Sequence, residues 1–369
     1  MELKKKVVIA GGGSGGHIYP GIAIAKALLK ENPHIEIVFV GTKQGLEKKI
    51  VPAEGFKLYF ISSGKLNTGG SIFGRIKSLF LVFKGLLDSF LLLMQLRPSY
   101  VLGVGGYASG PFVLMSALLG FRSAVWEPNA MPGLANRWLS RFVKECFLVF
   151  EEAQKYLKSD RYLVTGMPIR EEIENAQKTA KQNEKLHLLL FGGSQGARVL
   201  NYTLAECVLQ KPEIFANVEI VHQTGPLDFQ DIKKKYEGSK VPIEQHEFLY
   251  DMPQRYNWSD LVICRSGAST LAELAAFGLV PITIPLTLAD DHQLKNAQTL
   301  LNANAAVLIP QKELTVERLA AEIQQLIEKP ERRQMMSENI KKFHRPLAAK
   351  KIAQEIVKQV DERESDHAI

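Results

Sequence analysis

The sequence feature that most constrains the fold is a glycine-rich turn between an apolar run and a helical pattern, and it occurs three times. Residues 10–21 read AGGGSGGHIYPG, after an apolar run at 7–9 and before an alanine-rich helical pattern at 22–29. The same order returns at 103–111, GVGGYASGP, and at 192–198, GGSQGAR. Glycine tolerates positive φ and close backbone approach, and a helix N-terminus favours an anion. The pattern therefore predicts phosphate-binding loops at the carboxyl ends of parallel strands.

Apolar runs alternate with helical patterns along all 369 residues, which predicts an α/β protein with parallel sheets covered by helices. A polar, charged stretch at 171–185 divides the runs into two series, and each series opens with a strand and a glycine turn. We expect two nucleotide-type domains facing a cleft, residues 1–165 and 166–346, with a last helix at 347–360 crossing back onto the first. The predicted strands lie at residues 7–10, 35–40, 57–61, 100–104, 124–126, 145–149, 162–164, 187–191, 218–222, 243–244, 261–264, 281–284 and 307–309.

Charge and cysteine content narrow the class of ligand and the compartment. A net charge of +7 favours an acidic partner such as a nucleotide, a nucleic acid or an anionic lipid. Aromatic side chains are not interleaved with the basic ones, so we do not expect nucleic-acid binding. Cys146, Cys207 and Cys264 lack metal or redox spacing, which predicts reduced core thiols in a cytosolic protein. The N-terminal residues lack the pattern of a signal peptide.

The first glycine loop allows two interpretations. Residues 11–16 match the dinucleotide fingerprint G-x-G-x-x-G, but a nicotinamide site also needs an acid at the end of the second strand. The first acid after that strand is Glu47, which does not favour a dehydrogenase. His17 stands where the loop meets the helix. It is either a packed or capping ring or a general base, because the pKa of imidazole lies near neutrality.

Other polar positions also have a structural and a functional interpretation. Glu127 and Asn129, in WEPNAMPG, are either turn residues or side chains that reach into the cleft. Arg170 pairs with a neighbouring acid or holds a phosphate bidentately. Ser194 and the amides around it are placed to hold a diphosphate. Glu273 is either an ordinary acid near a helix N-terminus or a carboxylate that accepts from two ribose hydroxyls.

A polar cluster at 289–297, ADDHQLKNA, follows the predicted strand at 281–284. His292 and Gln293 are placed to address sugar hydroxyls. The adjacent Asp290, Asp291 and His292 lack the separated spacing of a metal site, so we expect no metal there.

The stretch at 69–96 is strongly apolar, but its longest uncharged run, 89–96, is too short to span a bilayer. For residues 86–94 we expect a buried core helix. The preceding part combines an apolar helical face with basic side chains, which is typical of a helix lying on an anionic membrane surface. This predicted membrane face consists of Ile76, Leu79, Phe80 and Phe83, framed by Arg75, Lys77 and Lys84.

Seven motifs in order resemble the MurG family of glycosyltransferases over nearly the whole chain: GGxSGGH, GVGGYASGP, E-x-N-x-x-PG, GMPIR, GGSQGAR, RSGAST-x-x-E and DDHQ-x-x-NA. The resemblance implies a GT-B architecture of two Rossmann-like domains. It implies inverting transfer of N-acetylglucosamine (GlcNAc) from UDP-GlcNAc to the 4-hydroxyl of the muramoyl sugar of lipid I, which gives lipid II for peptidoglycan. It also implies a peripheral enzyme on the cytoplasmic face of the inner membrane, without cofactor or metal.

The resemblance also assigns site residues. His17 is the implied base, with Glu127 as the next choice. The residues implied to contact UDP-GlcNAc are Ser14, Gly15, Gly16, Asn129, Arg170, Ser194, Gln195, Leu249, Ala268, Ser269, Thr270, Leu271, Ala272, Glu273, His292 and Gln293. Leu249 is implied to meet the uracil through its backbone. Those implied to face the acceptor diphosphate are Gly13, Gly105, Gly106 and Tyr107. The chain departs from the family at Pro128, where relatives usually have Gln, and at His292, where some carry a second Gln.

Two alternatives remain open at this level. A UDP-GlcNAc 2-epimerase shares the fold and the donor, but it has no need for an apolar face framed by Arg and Lys. A non-catalytic nucleotide-binding module is disfavoured by His17 and by the three phosphate loops.

Overall fold

A computed structural model describes residues 5–63, 72–174, 185–286 and 291–367, with side chains throughout except at 72–79 and 363–367. The chain forms two compact units: unit 1 comprises Met1–Arg170 and Leu347–Ile369, and unit 2 comprises Glu171–Pro346. Each unit holds one parallel sheet covered by helices, so the predicted α/β class is confirmed. Residues 166–170, which the sequence places in the second domain, belong to unit 1.

Each of the thirteen predicted apolar runs forms a strand in this structure. The strands are β1 (Lys6–Gly11), β2 (Glu36–Gly41), β3 (Lys57–Phe60), β4 (Tyr100–Gly105), β5 (Ser123–Glu127), β6 (Glu145–Leu148), β7 (Tyr162–Val164), β8 (Leu186–Phe191), β9 (Val218–Gln223), β10 (Ile243–His246), β11 (Leu261–Cys264), β12 (Val280–Thr283) and β13 (Val307–Leu308).

A helix follows most strands, and the last three helices follow one another after the last strand. They are α1 (Gly15–Glu31), α2 (Glu47–Ala53), α3 (Ile72–Leu96), α4 (Ser109–Leu118), α5 (Leu134–Leu139), α6 (Glu171–Glu174), α7 (Arg198–Gln210), α8 (Phe229–Tyr236), α9 (Met252–Trp258), α10 (Ala268–Phe277), α11 (His292–Asn302), α12 (Val316–Glu328), α13 (Pro330–Lys341) and α14 (Ala348–His367). Short 3₁₀ turns lie at Glu151–Tyr156, Pro212–Phe215 and Gln311–Glu313.

The sheet of unit 1 has the order β3-β2-β1-β4-β5-β6-β7, with every pair parallel. The chain winds outward in one direction from β1 and in the other from β4. Their carboxyl ends therefore form the topological switch point, where parallel sheets bind ligands. The first two glycine loops follow these two strands and lie side by side.

Apolar side chains fill both faces of this sheet. On one face, Val8 and Val101 pack with Leu93 of α3 and Phe112 of α4. On the other face, α1 carries the C-terminal helix α14, and Arg161 pairs with Glu355 of α14 at 2.7 Å. The C-terminal helix α14 thus packs within unit 1.

Unit 2 repeats the design with the order β10-β9-β8-β11-β12-β13. Leu190 and Ile263 pack on one face against Leu204 of α7 and Ile323 of α12. The switch point now lies between β8 and β11. The third glycine loop and the start of α10 both lie at this point.

Candidate functional site

In unit 1, the two glycine loops pack directly against each other. The Gly12 amide donates to the Gly105 carbonyl at 3.1 Å. A side chain at Gly106, whose φ is +82°, would overlap the Gly12 backbone. Glycine is therefore needed at these positions because the two loop backbones lie too close together for a side chain.

A buried carboxylate that the sequence analysis did not assign holds the first loop in place. Glu47, 1% exposed, accepts hydrogen bonds from the Gly13 amide at 2.7 Å, the Thr42 amide at 2.8 Å and the Thr42 hydroxyl at 3.0 Å. A Cβ atom at Gly12 would overlap this carboxylate. The Gly13 amide, expected to face the acceptor diphosphate, thus already donates to Glu47. The only sequence signal for this role was that Glu47 is the first acid after β2.

His17 lies in the first turn of α1, beside the second glycine loop. A Cβ atom at Gly105, whose φ is +99°, would lie 2.6 Å from the His17 Nδ1 atom and 2.7 Å from its Cε1 atom. The imidazole is half-buried and fills the space that the glycine leaves. Ser14 and Gly16 are exposed in the same turn, and Tyr107 is exposed after β4. The structure therefore brings the predicted base and the predicted acceptor residues of unit 1 to one edge of the sheet.

Glu127 organises the loop after β5. Its Oε1 atom accepts from the Asn129 amide at 2.9 Å and the Asn129 side chain at 3.2 Å. Its Oε2 atom accepts from the Gly133 amide at 3.1 Å and the Asn136 side chain at 2.9 Å. Burial raises the pKa of the Glu127 carboxyl, and these hydrogen bonds oppose the increase. With four donors around a 1% exposed carboxylate, Glu127 is better placed to shape the loop than to act as a base.

Unit 2 contains a cavity of about 400 Å³ at its switch point. The glycine loop after β8 and the beginning of α10 form its walls, so backbone N–H groups and a helix N-terminus border one space. Ser194 and Gln195 are exposed on that loop. The cavity is lined by Phe191, Gly192, Gly193, Gly196, Ala197, Arg265, Gly267, Thr270, Leu286 and Gln293.

Gln293 and its neighbours are held in place at the rim of this cavity. The Gln293 Oε1 atom accepts from the Leu286 amide at 2.9 Å, which leaves its Nε2 atom to donate to a ligand. The Ser266 hydroxyl donates to the Gln293 carbonyl at 2.8 Å. Arg265 donates to the Ile284 carbonyl at 2.9 Å. Arg265 lies inside the quoted RSGAST motif but received no role from the sequence.

Glu273 lies in the second turn of α10, where its carboxylate is oriented by a tyrosine. The Tyr256 hydroxyl donates to the Glu273 Oε2 atom at 2.8 Å. Tyr256 is 1% exposed, and its ring centroid lies 6.1 Å from that of Phe191 and 5.5 Å from that of Phe277. No sequence pattern pointed to this partner, because Tyr256 reaches Glu273 from α9.

The remaining predicted residues are distributed as follows. Leu249 is buried in the loop after β10, and His292 begins α11. Arg170 is exposed at the end of unit 1, so its contact with a donor phosphate stays a prediction. Asp290 lies outside the described residues. Among the described residues, no group of three His, Cys, Asp or Glu side chains is arranged to hold a metal ion.

The predicted burial of residues 86–94 is wrong for one side of α3. Leu87 and Leu91 are 58% and 57% exposed, whereas Leu92 and Leu93 pack into the core. Phe80 and Phe83, from the predicted membrane face, are 66% and 69% exposed. The side chains of Arg75, Ile76, Lys77 and Leu79 lie outside the described part of the chain. None of the described helices is long and apolar enough to cross a bilayer.

Comparison with known proteins agrees with this geometry. The family models for the glycosyltransferase family 28 N-terminal and C-terminal domains match residues 7–148 and 187–356. A UDP-N-acetylglucosamine–N-acetylmuramyl-(pentapeptide) pyrophosphoryl-undecaprenol N-acetylglucosamine transferase of Bdellovibrio bacteriovorus is 54% identical, over 97% of this chain and 100% of that protein. A transferase of the same name from Anaeromyxobacter sp. (strain Fw109-5) is 41% identical, over 94% of this chain and 92% of that protein.

Solved structures extend the comparison. MurG of Acinetobacter baumannii superposes with a TM-score of 0.79 at 27% identity, covering 96% of this chain and 99% of that one. A putative UDP-N-acetylglucosamine 2-epimerase from Listeria monocytogenes has a TM-score of 0.66 at 15% identity, covering 99% and 98% of the two chains, and shares the fold alone. The chain belongs to glycosyltransferase family 28.

Proposed function

We propose that this protein transfers N-acetylglucosamine from UDP-GlcNAc to the 4-hydroxyl of the muramoyl sugar of lipid I, giving lipid II. The observation that carries the proposal is the cavity of unit 2, bordered by backbone amides, a helix N-terminus and Gln293. A UDP-sugar needs donors for its diphosphate and polar side chains for its hydroxyls, and this cavity offers both. Full-length relatives named as this transferase support the choice of acceptor.

The chemistry needs a stabilised leaving group and one base. The negative charge that develops on UDP is stabilised by the amides of the third glycine loop, by the N-terminus of α10 and by Arg170. His17 takes the proton from the acceptor hydroxyl as this oxygen attacks the anomeric carbon. The C–O bond to UDP breaks in the same displacement, which inverts the anomeric centre. Glu127 shapes the adjoining loop, because its oxygens already accept four hydrogen bonds.

The decisive assay supplies UDP-GlcNAc with and without a water-soluble lipid I analogue. We expect UDP release and a new disaccharide product only when both substrates are present. An epimerase would convert UDP-GlcNAc alone, and a binding module would hold UDP without turnover. Either result would contradict the proposal.

A lipid-anchored acceptor also requires the enzyme to reach the membrane, and we place that contact on α3, at the cytoplasmic face of the inner membrane. Phe80, Phe83, Leu87 and Leu91 recur at helical spacing and are all more than half exposed. Lys84 lies on the same helix but pairs with Asp88 at 3.6 Å, so the exposed apolar side chains and not this cation carry the proposed contact. Apolar side chains on one helical face insert into the headgroup boundary and stabilise binding in proportion to the area buried.

Sedimentation with phosphatidylglycerol vesicles tests this contact. Replacing Phe80 and Phe83 with Ser should abolish co-sedimentation, while activity on the soluble acceptor analogue remains. Leu209→Ser is the matched control, because Leu209 is an exposed apolar residue on α7 of unit 2. Vesicle binding by the double variant at the wild-type level would remove this face from the proposal.

A further inference from the structure

One buried glutamine connects the two loops of unit 2 that the donor is proposed to contact. Gln223 ends β9 and is 3% exposed. Its Nε2 atom donates to the Gly193 carbonyl at 2.8 Å, and its Oε1 atom accepts from the Leu249 amide at 3.2 Å. Because β9 lies between β8 and β10, this side chain reaches the loops that follow both neighbours.

The end of β9, which carries Gln223, is held in place by close backbone packing and by side-chain hydrogen bonds. Residues 195 and 196 pack directly on residues 224 and 225, and a Cβ atom at Gly196 or Gly225 would overlap the opposite backbone. Asn201 of α7 donates to the Thr224 carbonyl at 2.7 Å, and the His222 ring lies 3.1 Å from the Asn201 Oδ1 atom. The strand end therefore has little freedom to move when either loop shifts.

Both ends of the Gln223 amide are used, and this fixes its orientation. Rotating the amide by 180° would place oxygen against the Gly193 carbonyl and NH₂ against the Leu249 N–H, so both bonds would be lost. The Leu249 N–H is committed to Gln223, which sets the direction of the neighbouring peptide groups. Any nucleobase that meets the Leu249 backbone is therefore read at a position that Gln223 determines.

We propose that Gln223 is a positioning residue that holds the diphosphate loop and the base-contacting Leu249 backbone at a fixed separation. It acts through Gly193 and Leu249 and tunes both donor affinity and the choice of base. The inference rests on the proposed function, because it takes unit 2 to be the UDP-sugar site. It adds a residue outside the glycine loop and outside the motifs that the sequence singled out.

The test is Gln223→Met, which keeps the length of the side chain and removes both hydrogen bonds. The loss of both hydrogen bonds should weaken UDP binding by up to about thirtyfold, because the two loops are then no longer held at the separation that the ligand needs. The KM for UDP-GlcNAc should rise while the KM for the acceptor analogue stays constant. The ratio of UDP to CDP affinity should also fall, because uracil and cytosine differ in the N3 and C4 groups that a displaced backbone reads poorly. A role in packing alone would leave that ratio unchanged.

Gln245→Met is the matched control on the neighbouring strand. Gln245 donates to the Phe229 carbonyl at 2.8 Å and is half-buried, so the variant also removes a glutamine hydrogen bond. Its contact does not involve either loop, and UDP affinity should stay at the wild-type value. Thermal unfolding of both variants measures the shared cost in stability.

If Gln223→Met does not fold, Gln223→Glu carries the test. Its carboxylate still accepts from the Leu249 amide but cannot donate to the Gly193 carbonyl. UDP binding should weaken because the Gly193 end of the bridge is lost, while the UDP to CDP ratio is retained because the Leu249 end is kept; the loss of affinity, and not the ratio, is the readout in this variant. Wild-type UDP affinity in a folded variant would overturn the positioning role and leave the proposed function intact. Failure of the wild-type protein to bind UDP would instead overturn the proposed function.

Discussion

The glycine loops of the two units are built alike but are held in place by opposite chemistry. In unit 1, the Glu47 carboxylate comes from beyond β2 and takes the N–H of Gly13. In unit 2, the Gln223 amide comes from the end of β9 and takes the carbonyl of Gly193. β2 and β9 occupy the same place in their sheets, next to the strand that precedes the loop.

The difference shows what each loop is prepared to bind. A carboxylate consumes a donor and places negative charge under the loop, so Glu47 already does what a bound anion would do. A neutral amide that donates to a carbonyl adds no charge and leaves the N–H groups of residues 194 and 195 out of the interaction. The loop of unit 2 borders a cavity of about 400 Å³, consistent with an anionic ligand. The same glycine signal therefore indicates a ligand site in unit 2 and close packing around His17 in unit 1.

The largest expected effect tests whether the loop of unit 1 serves the chemical step. His17→Ala should lower turnover about a hundredfold or more, the scale of general acid–base catalysis, while UDP binding is unchanged. Gly105→Ala should also lower turnover, because its Cβ would lie 2.6 Å from the His17 ring and displace it. Initial rates and UDP titrations on both variants measure the effect. Near-normal turnover of His17→Ala would assign the ring to packing and remove it as the base.

The next effect concerns stability and tests the role of Glu47. Glu47→Ala leaves three donors without their buried acceptor, at Gly13 and Thr42, and should lower the free energy of unfolding by about 3 kcal/mol. Glu47→Gln keeps one acceptor and the volume, so its loss should be about 1 kcal/mol. Urea unfolding measures the free energy of unfolding of both variants, and hydrogen exchange locates the loss in unit 1. Equal stability of all three proteins would show that the carboxylate does not hold the loop.

The sequence was sufficient to predict the strands and the edge on which the site lies. Each strand is an apolar run bounded by turn residues, and the parallel order places the glycine loops at the switch points. The expected positions of Glu273 and Gln293 followed from the same rule.

The supporting contacts were not predictable, because they depend on which loops become neighbours. Glu47, Gln223 and Tyr256 belong to no motif, and each acts on a residue from another element. The exposure of one side of α3 was missed for a related reason. Leucines occur on every side of residues 86–94, so periodicity could not show which side α4 and the sheet would cover.

The third effect contrasts the two units in acid. Burial lowers the pKa of His222 in unit 2 to about 3, so the unfolded chain binds a proton near pH 6.5 that the folded unit does not. The contribution of His222 to stability is complete above pH 6.5 and is lost as the pH falls, by about 3 kcal/mol at pH 4.5. The pKa of Glu127 in unit 1 is raised in the folded state. Its contribution to the free energy of unfolding therefore increases as the pH falls, opposite to that of His222.

Unit 2 should therefore lose stability before unit 1 between pH 6.5 and pH 4.5. Hydrogen exchange at several pH values resolves the two units. The variant His222→Gln should be less stable at pH 7 and should show a flatter pH dependence. An unchanged slope in the variant would exclude His222 as the source.

The smallest effect tests whether the Glu273 carboxylate in unit 2 is oriented for its ligand by the Tyr256 hydroxyl. Tyr256→Phe removes the hydroxyl that donates to Glu273 but keeps the ring between Phe191 and Phe277. If Glu273 holds the ribose, the variant should bind UDP about fivefold more weakly, the value of one hydrogen bond, and should discriminate less against 2′-deoxy-UDP. Glu273→Ala should cost about 1.5–3 kcal/mol and abolish that discrimination. In the Glu273→Ala background, Tyr256→Phe should then have no further effect on UDP affinity if the hydroxyl acts on the ligand through the carboxylate. An equal loss in both backgrounds would show that Tyr256 supports the fold of unit 2 and not the orientation of Glu273.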